Sequence, residues 1–321
     1  MSLSAAENPS SAAGNLRLSW AAPATRWEEA APLGNGRIGA MAFGGADARY
    51  ALNDSTLWSG TPDGPARALR DVIAAGAGPA RLAEVRAALD ADDVRRAEDL
   101  LMAFEGPYSQ EYLPLGDLHV RITDAEPDDP ARILDLDDAV LLETLRIPGG
   151  TLRRRSWVSA PAQVLVIEIE ADAEFTASVA LTTPLHTDGL VVRDGGMTLG
   201  VVAPIDGAPL HEGPLQTPLR YADDEGYDAF AAASVAWRTD GRVEATADGV
   251  AVHGARRLLI FLSSSSRAAS WWAGAGEEEW RNVSRETIRN RAAEQADAAA
   301  RREASTLFDE HVADRRRLTR A

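Results

Sequence analysis

Cysteine and lysine are both missing from the 321 residues. Without cysteine there is no disulfide, no thiolate nucleophile and no thiolate-bound zinc, while the redox compartment stays open. All 33 basic side chains are arginine, which we read as a signature of codon composition rather than of function. Histidine is scarce: His119, His186, His211, His253 and His311 have no metal-ligand spacing, so neither a metal nor a cofactor is expected. No apolar run approaches the roughly 18 residues of a membrane span. Positive charge is in deficit, with 49 acids leaving a net charge of −16, and such a surface repels nucleic acid and anionic lipid. Gly-x-Ser-x-Gly, the P-loop, His-Glu-x-x-His and the EF-hand loop are absent as well. Gly34-Asn35-Gly36-x-x-Gly39 has the outline of a dinucleotide fingerprint, but no βαβ unit follows it.

What remains is an ordinary globular composition, 45% hydrophobic and 26% charged, able to bury a sizeable core. Residues 1–15 are rich in Ser, Ala, Asn and Pro and read as a flexible lead-in. They lack the basic and apolar regions of a signal peptide, which favours the cytoplasm, although a secreted protein stripped of its leader would look the same. From 16 to 275 the pattern is largely strand-like: Ala139 to Ile147, Thr151 to Ser159, Val164 to Ala171, Phe175 to Thr182, Met197 to Ala203, Phe230 to Arg238, Val243 to Ala247 and Arg257 to Ser263. Pro148-Gly149-Gly150, Asp194-Gly195, Thr239-Asp240-Gly241 and Asp248-Gly249 supply hairpin turns between them. Many short strands on tight turns predict an antiparallel all-β domain, a large sandwich or a barrel. About residues 71–104 the period changes, with Leu82, Val85, Leu89 and then Val94, Ala97, Leu101, Phe104 at helical spacing, which predicts a helical insertion. Pro204 to Tyr227 is a long loop. Residues 276–321 turn helical: Ile288, Ala292, Ala296, Ala300, Ala304, Leu307, His311 and Leu318 form one stripe, predicting a single helix over about 284–318, about 50 Å long. Its Ala-rich face has no evident partner and is expected to favour self-association.

The organising stretch is Pro32-Leu33-Gly34-Asn35-Gly36-Arg37-Ile38-Gly39-Ala40-Met41, a Gly-interrupted turn running into a strand. It is answered by Leu52-Asn53-Asp54-Ser55-Thr56-Leu57-Trp58-Ser59-Gly60. Asn35, Asn53 and Trp58 make a candidate rim for a sugar-sized pocket. The commoner role of such asparagines is to bond their own backbone in turns, and that of the tryptophan is core. Trp271-Trp272 offers a second stacking platform for a sugar, or else packs the junction between sheet and helix. Asp54, Asp117, Asp135 and Asp137 lie at strand ends, where carboxylates cap turns more often than they act as general acids. Arg153-Arg154-Arg155 alternates across a strand and so does not form a basic patch.

The ordered phrases go further. Trp27-x-x-Ala30-x-Pro32-Leu-Gly-Asn-Gly-Arg-Ile-Gly-Ala-Met41-x-Phe43-Gly44-Gly45 precedes Leu52 to Gly60 and Pro62, followed by Tyr112-Leu-Pro-Leu-Gly-Asp-Leu118, Leu134-Asp-Leu-Asp137-x-Ala139-Val140 and Arg154-x-x-Trp157-Val-Ser-Ala-Pro161. From Trp20 onward the chain resembles the N-terminal domain of glycoside hydrolase family 95, the inverting α-L-fucosidases, some of which act on α-L-galactosides. Leu113, Arg155 and Trp157 stand where that family usually has Gln, Glu and Phe. The resemblance implies a β-supersandwich, a fucosylated oligosaccharide as substrate of the parent enzyme, and a terminal helix leading to an (α/α)6 barrel, with the barrel-facing surface of the sandwich also expected to favour self-association. The family's catalytic groups lie in that barrel, so none is carried over to a position of this sequence. A free-standing carbohydrate-binding or scaffolding module is the alternative. A phosphorylase β-domain is a further one, against which the Asn53 to Gly60 phrase counts.

Overall fold

The computed structural model describes residues 16–106, 108–123, 125–126, 131–208, 219–224, 227–269 and 277–319. The lead-in, His211, the middle of the long loop and Trp271-Trp272 lie outside them. Among the described residues fourteen strands form one antiparallel sheet that folds over on itself, and β12 (Asp206–Gly207) pairs with β13 (Leu219–Arg220) in a separate two-stranded sheet. Two long strands make the fold possible: β9 (Val164–Thr182) and β16 (Gly249–Ser266), each long enough to belong to two layers.

In the first layer the order is β1 (Arg17–Trp20), β6 (Arg132–Asp135), β7 (Val140–Ile147), β8 (Gly150–Ser159), the first half of β9, the second half of β16, β14 (Ala229–Thr239), β11 (Gly196–Ala203) and β10 (His186–Arg193). In the second, β2 (Ala31–Gly34), β3 (Ile38–Ala42), β4 (Asp47–Asp54) and β5 (Gly116–Ile122) lead to the second half of β9, the first half of β16 and β15 (Arg242–Ala245). The corner of β16 is a pair of register shifts between Val252 and Arg257, where Gly254 takes φ +65°. In β9 the corner falls on the solvent-facing run Glu170 to Glu174, which also separates the two shorter strands expected from the sequence.

Burial explains the two textures. Val164 to Ile169 are buried without interruption, whereas Phe175, Ala177, Val179 and Leu181 alternate with more exposed neighbours. The centre of the first layer is covered on both faces and the second layer on one, so the central strands of the first read as continuous apolar runs, while β1 and β10 at its edges are largely exposed. The inner faces share one core that includes Ile38, Tyr50, Leu118, Leu141, Leu165, Val201, Val235 and Ile260.

The outer cover comes from the C-terminal helices, and here two expectations are corrected. The single helix over 284–318 is two helices, α5 (Arg285–Ala300) and α6 (Ala304–Thr319), broken at Arg301–Glu303 and preceded by the short α4 (Glu277–Asn282). Their apolar stripe is not left open for self-association. Ile288 and Ala292 pack on Phe230 and Ala232, and Ala299, Ala304 and Leu307 pack on Trp157, Val166 and Phe261. Small residues on β14 let the helix approach closely. Arg285 and Arg289 fix the helix by pairing with Asp188, and Arg285 also pairs with Asp228.

The insertion starts earlier than its periodicity indicates, with α1 (Gly64–Ala74), α2 (Pro79–Asp90) and α3 (Val94–Leu101). Pro65 and Pro79 stand in the first turns of α1 and α2, where no amide hydrogen is needed. The Asp93 carboxylate caps α3 by accepting from the Arg96 amide at 3.2 Å. No helix of the described residues is long and apolar enough to cross a membrane.

Candidate functional site

The β2–β3 ladder runs from Ala31 opposite Ala42 to Gly34 opposite Gly39, and the two signature phrases meet at its second end. Asn35 closes that hairpin. Its Oδ1 accepts from the amides of Arg37 (3.0 Å) and Ile38 (2.8 Å), and its Nδ2 donates to the Ser159 carbonyl at 3.0 Å. Gly36, at φ +89°, supplies the left-handed residue the turn needs. Asn53 donates to the Leu113 carbonyl at 3.2 Å and so ties β4 to the segment before β5.

Asp54 is 1% exposed and is the hub of this corner. One oxygen accepts from the Thr56 amide (2.9 Å) and hydroxyl (2.6 Å); the other accepts from the Ser264 hydroxyl (2.5 Å) and Arg37 Nη1 (3.3 Å). Arg37 also donates to Gln163 Oε1 at 2.7 Å and to the Ser264 carbonyl at 2.8 Å, joining β16 to the turn. Asp54 therefore acts as a structural bridge. Asp117 stands 3.8 Å from Arg49. Asp135 accepts from Arg17 and from the amides of Asp137 and Asp138; those bonds hold its carboxyl below the usual range although burial opposes them.

Trp58 differs from its neighbours. Its Nε1 donates to the Ser55 carbonyl at 3.0 Å, and the residue as a whole is 38% exposed. Tyr112 backs it, with ring centroids 5.2 Å apart and planes tilted by 48°. Burial, followed by the nearby Asp54 charge, raises the Tyr112 pKa. Beside Trp58 opens a cleft of about 710 Å³, within the roughly 300–1,000 Å³ range of small-ligand sites. It is lined on its apolar side by Trp58, Pro62, Pro65, Ala68 and Trp280, and on its polar side by Arg67, Asp71, Tyr108, Gln110 and Asp206.

Five chain segments line this cleft. Ser59 donates to Gln110 Oε1 at 2.7 Å and accepts from the Glu111 amide at 2.8 Å. Gln110 donates in turn to Asp206 at 2.9 Å. Gly60, at φ +101°, leaves the space that the Gln110 side chain fills. At the start of α1, Asp63 accepts from Thr61 and Tyr227, and these hydroxyls lower its pKa. A second groove, about 650 Å³ on the outer face of the first layer, has no aromatic lining. There Arg155 with Glu168, Arg257 with Glu170 and Arg238 with Glu303 cancel one another.

Of the residues expected from sequence, the structure places Trp58 in the cleft; Asn35 and Asn53 support the adjoining corner and are not among its lining residues. Gln110, Asp206, Arg67, Asp71 and Tyr108 carry no local signal, because they converge from distant positions. Trp280, which follows the acidic run Glu277–Glu279, is not singled out by the sequence.

Comparison with known proteins agrees with this architecture. The family model described as "Glycosyl hydrolase family 65, N-terminal domain" matches residues 18–271. Alpha-L-fucosidase 2 of Arabidopsis thaliana is 30% identical over 181 residues, 53% of this chain and 20% of that protein. The match thus spans about a fifth of that relative's length. A solved chain assigned as a kojibiose phosphorylase from the human microbiome shares the fold, with TM-score 0.51 at 9% identity, covering 93% of this chain and 37% of that one.

Proposed function

Because the chain belongs to the family of glycosyl hydrolase family 65 N-terminal domains, we propose that it is the β-domain of a glycoside hydrolase releasing terminal α-L-fucosyl or α-L-galactosyl groups with inversion. The identity to Alpha-L-fucosidase 2 and the ordered family 95 phrases support the substrate. An inverting reaction needs one carboxylic acid to protonate the leaving oxygen and a second group, on the opposite face of the sugar, to activate water. The observation that carries the assignment of roles is the engagement of Asp54, Asp117 and Asp135 in arginine pairs and turn caps. The reacting groups then belong to an (α/α)6 barrel elsewhere in the polypeptide. This domain buttresses that barrel through its C-terminal helices. Trp58 stacks on a sugar unit away from the reacting bond, with Asn35 and Asn53 holding the corner that presents it.

The test is turnover by a polypeptide that joins this domain to its catalytic domain. Hydrolysis of an aryl α-L-fucoside, independent of phosphate and giving β-L-fucose first by NMR, is the expected result. Phosphate-dependent cleavage of an α-glucobiose, with no action on the fucoside, would transfer the domain to a phosphorylase. A free-standing carbohydrate-binding module is the second reading, favoured by the open cleft beside Trp58. It predicts sugar binding with no catalytic partner at all.

A further inference from the structure

The cleft has a second wall that hydrolysis elsewhere in the polypeptide does not require. Trp280, on α4, is 3% exposed, and its indole Nε1 is buried with no hydrogen-bond partner among the described residues. A buried donor without an acceptor is destabilising, and a hydroxyl seated beside Trp280 would supply one. The charged groups lining the cleft are Asp71, Asp206 and Arg67, and Arg67 lies 3.6 Å from Asp63. Arg220 in turn stands 3.8 Å from Asp206, so among the described residues Asp71 is the uncompensated charge of the cleft, and an anionic ligand is disfavoured. Indole and proline surfaces with a carboxylate acceptor suit an uncharged polyhydroxylated ring. Its C–H face lies on the apolar wall while a hydroxyl donates to Asp71; Gln110 Oε1 is already taken by the Ser59 hydroxyl and the Gly207 amide.

We propose that this cleft is a glycan-binding subsite in its own right, separate from catalysis. It takes a neutral pyranose unit, with Trp58 as the stacking face and the Trp280 N–H as the directing donor. The proposal rests on the reading of a carbohydrate-handling domain, and its test is binding rather than turnover.

The 321-residue chain is titrated calorimetrically with a neutral fucosylated trisaccharide and with a uronate-containing trisaccharide. Wild type is compared with Trp58→Ala and Trp280→Phe, the second of which keeps a ring and removes the N–H. Saturable binding of the neutral sugar is expected. It should weaken roughly tenfold in Trp58→Ala and roughly three- to tenfold in Trp280→Phe. The uronate should bind wild type roughly tenfold more weakly than the neutral sugar. Asp71→Asn, at an exposed position, reads the same site if Trp280→Phe fails to fold: it should narrow the gap between the two sugars. No binding by folded wild type overturns the proposal, as do unchanged affinity in both tryptophan variants or a uronate bound as tightly as the neutral sugar. Absence of binding by this chain alongside fucosidase turnover by the polypeptide that joins it to its catalytic domain removes the subsite alone, whereas binding by this chain with no turnover by that joined polypeptide keeps the subsite and removes the fucosidase assignment.

Discussion

The two ends of the β2–β3 ladder are built from the same signature phrase and put to opposite uses. At the Ala42 end everything polar is enclosed. Arg132, 1% exposed, donates to the carbonyls of Ala22 (2.9 Å), Glu29 (3.0 Å) and Ala42 (3.3 Å). Glu143 accepts from Arg154 Nε (2.9 Å) and the Gly45 amide (3.0 Å), and Arg154 returns a bond to the Gly45 carbonyl at 2.7 Å. Burial opposes the charge on Arg154, yet Glu143 beside it keeps its pKa above the ordinary value. Tyr50, hydrogen-bonded to Ser156 at 2.8 Å, is pushed up to about 12 by burial. Gly44 and Gly45 take φ +76° and +81°, and a Cβ on Gly44 would collide with Arg132 and Glu143. At the Gly39 end the polar groups are held through Asn35, Arg37 and Asp54, but one large ring is left facing a cleft. One end closes the sandwich and the other presents a surface.

Breaking the closed end should have the largest effect. Glu143→Gln leaves the Arg154 charge buried and unpaired, and should lower unfolding free energy by about 3–5 kcal/mol, measured by denaturant titration. Gly44→Ala should be comparably damaging, through both the positive φ and the collision. A loss below about 1 kcal/mol in both would mean that the knot is dispensable. Next comes Asp54→Ala, which removes the hub of the open end and should cost about 2–3 kcal/mol without abolishing folding. If Asp54 were catalytic instead, its variant would keep full stability and change only activity.

A smaller effect concerns how α6 is held. His311 is buried, and burial lowers its pKa below the usual 6.5, although its bonds to the carbonyls of Asp138 (2.9 Å) and Ala139 (3.3 Å) work the other way. A base whose pKa is lower in the fold takes up its proton more readily when unfolded. Its contribution is therefore fully present above about pH 6.5 and is lost as pH falls through the folded value. His311→Gln should flatten the decline in melting temperature between pH 7 and 5.5. An identical decline in both proteins would assign it to other groups. The smallest stability change belongs to Trp58→Ala, expected within about 1 kcal/mol because the ring is over a third exposed. A larger loss would make Trp58 a structural residue like its neighbours.

Much of the architecture was legible because it depends on local chemistry. Turn pairs such as Asp194-Gly195 and Asp248-Gly249 marked hairpins, and the helical period of Val94 to Leu101 marked the insertion. The long strands were not, because Glu170, Asp172 and Glu174 resemble a break when they in fact sit on an exposed bend of β9. The terminal stripe passed for one helix since Ala300 and Ala304 keep the period across the break at Arg301–Glu303. Its partner was invisible for another reason: Ala232 and Phe230 lie more than 50 positions upstream, so no local pattern pairs them with Ile288 and Ala292. At the site, Trp58 was readable and its place in a cleft was not, since Gln110 and Asp206 reach it only through tertiary folding. The family phrases pointed to a glycoside hydrolase β-domain, and the matched family carries the number 65 rather than 95.

The central claim is that this chain handles sugar without cleaving it. The most direct measurement is hydrolysis of an aryl α-L-fucoside by the purified 321-residue chain, beside a catalytically complete relative. The account predicts no turnover above background, with the relative active under the same conditions. Clear turnover, abolished by Asp54→Asn or Asp117→Asn with the fold intact, would contradict it and place the chemistry in the sandwich.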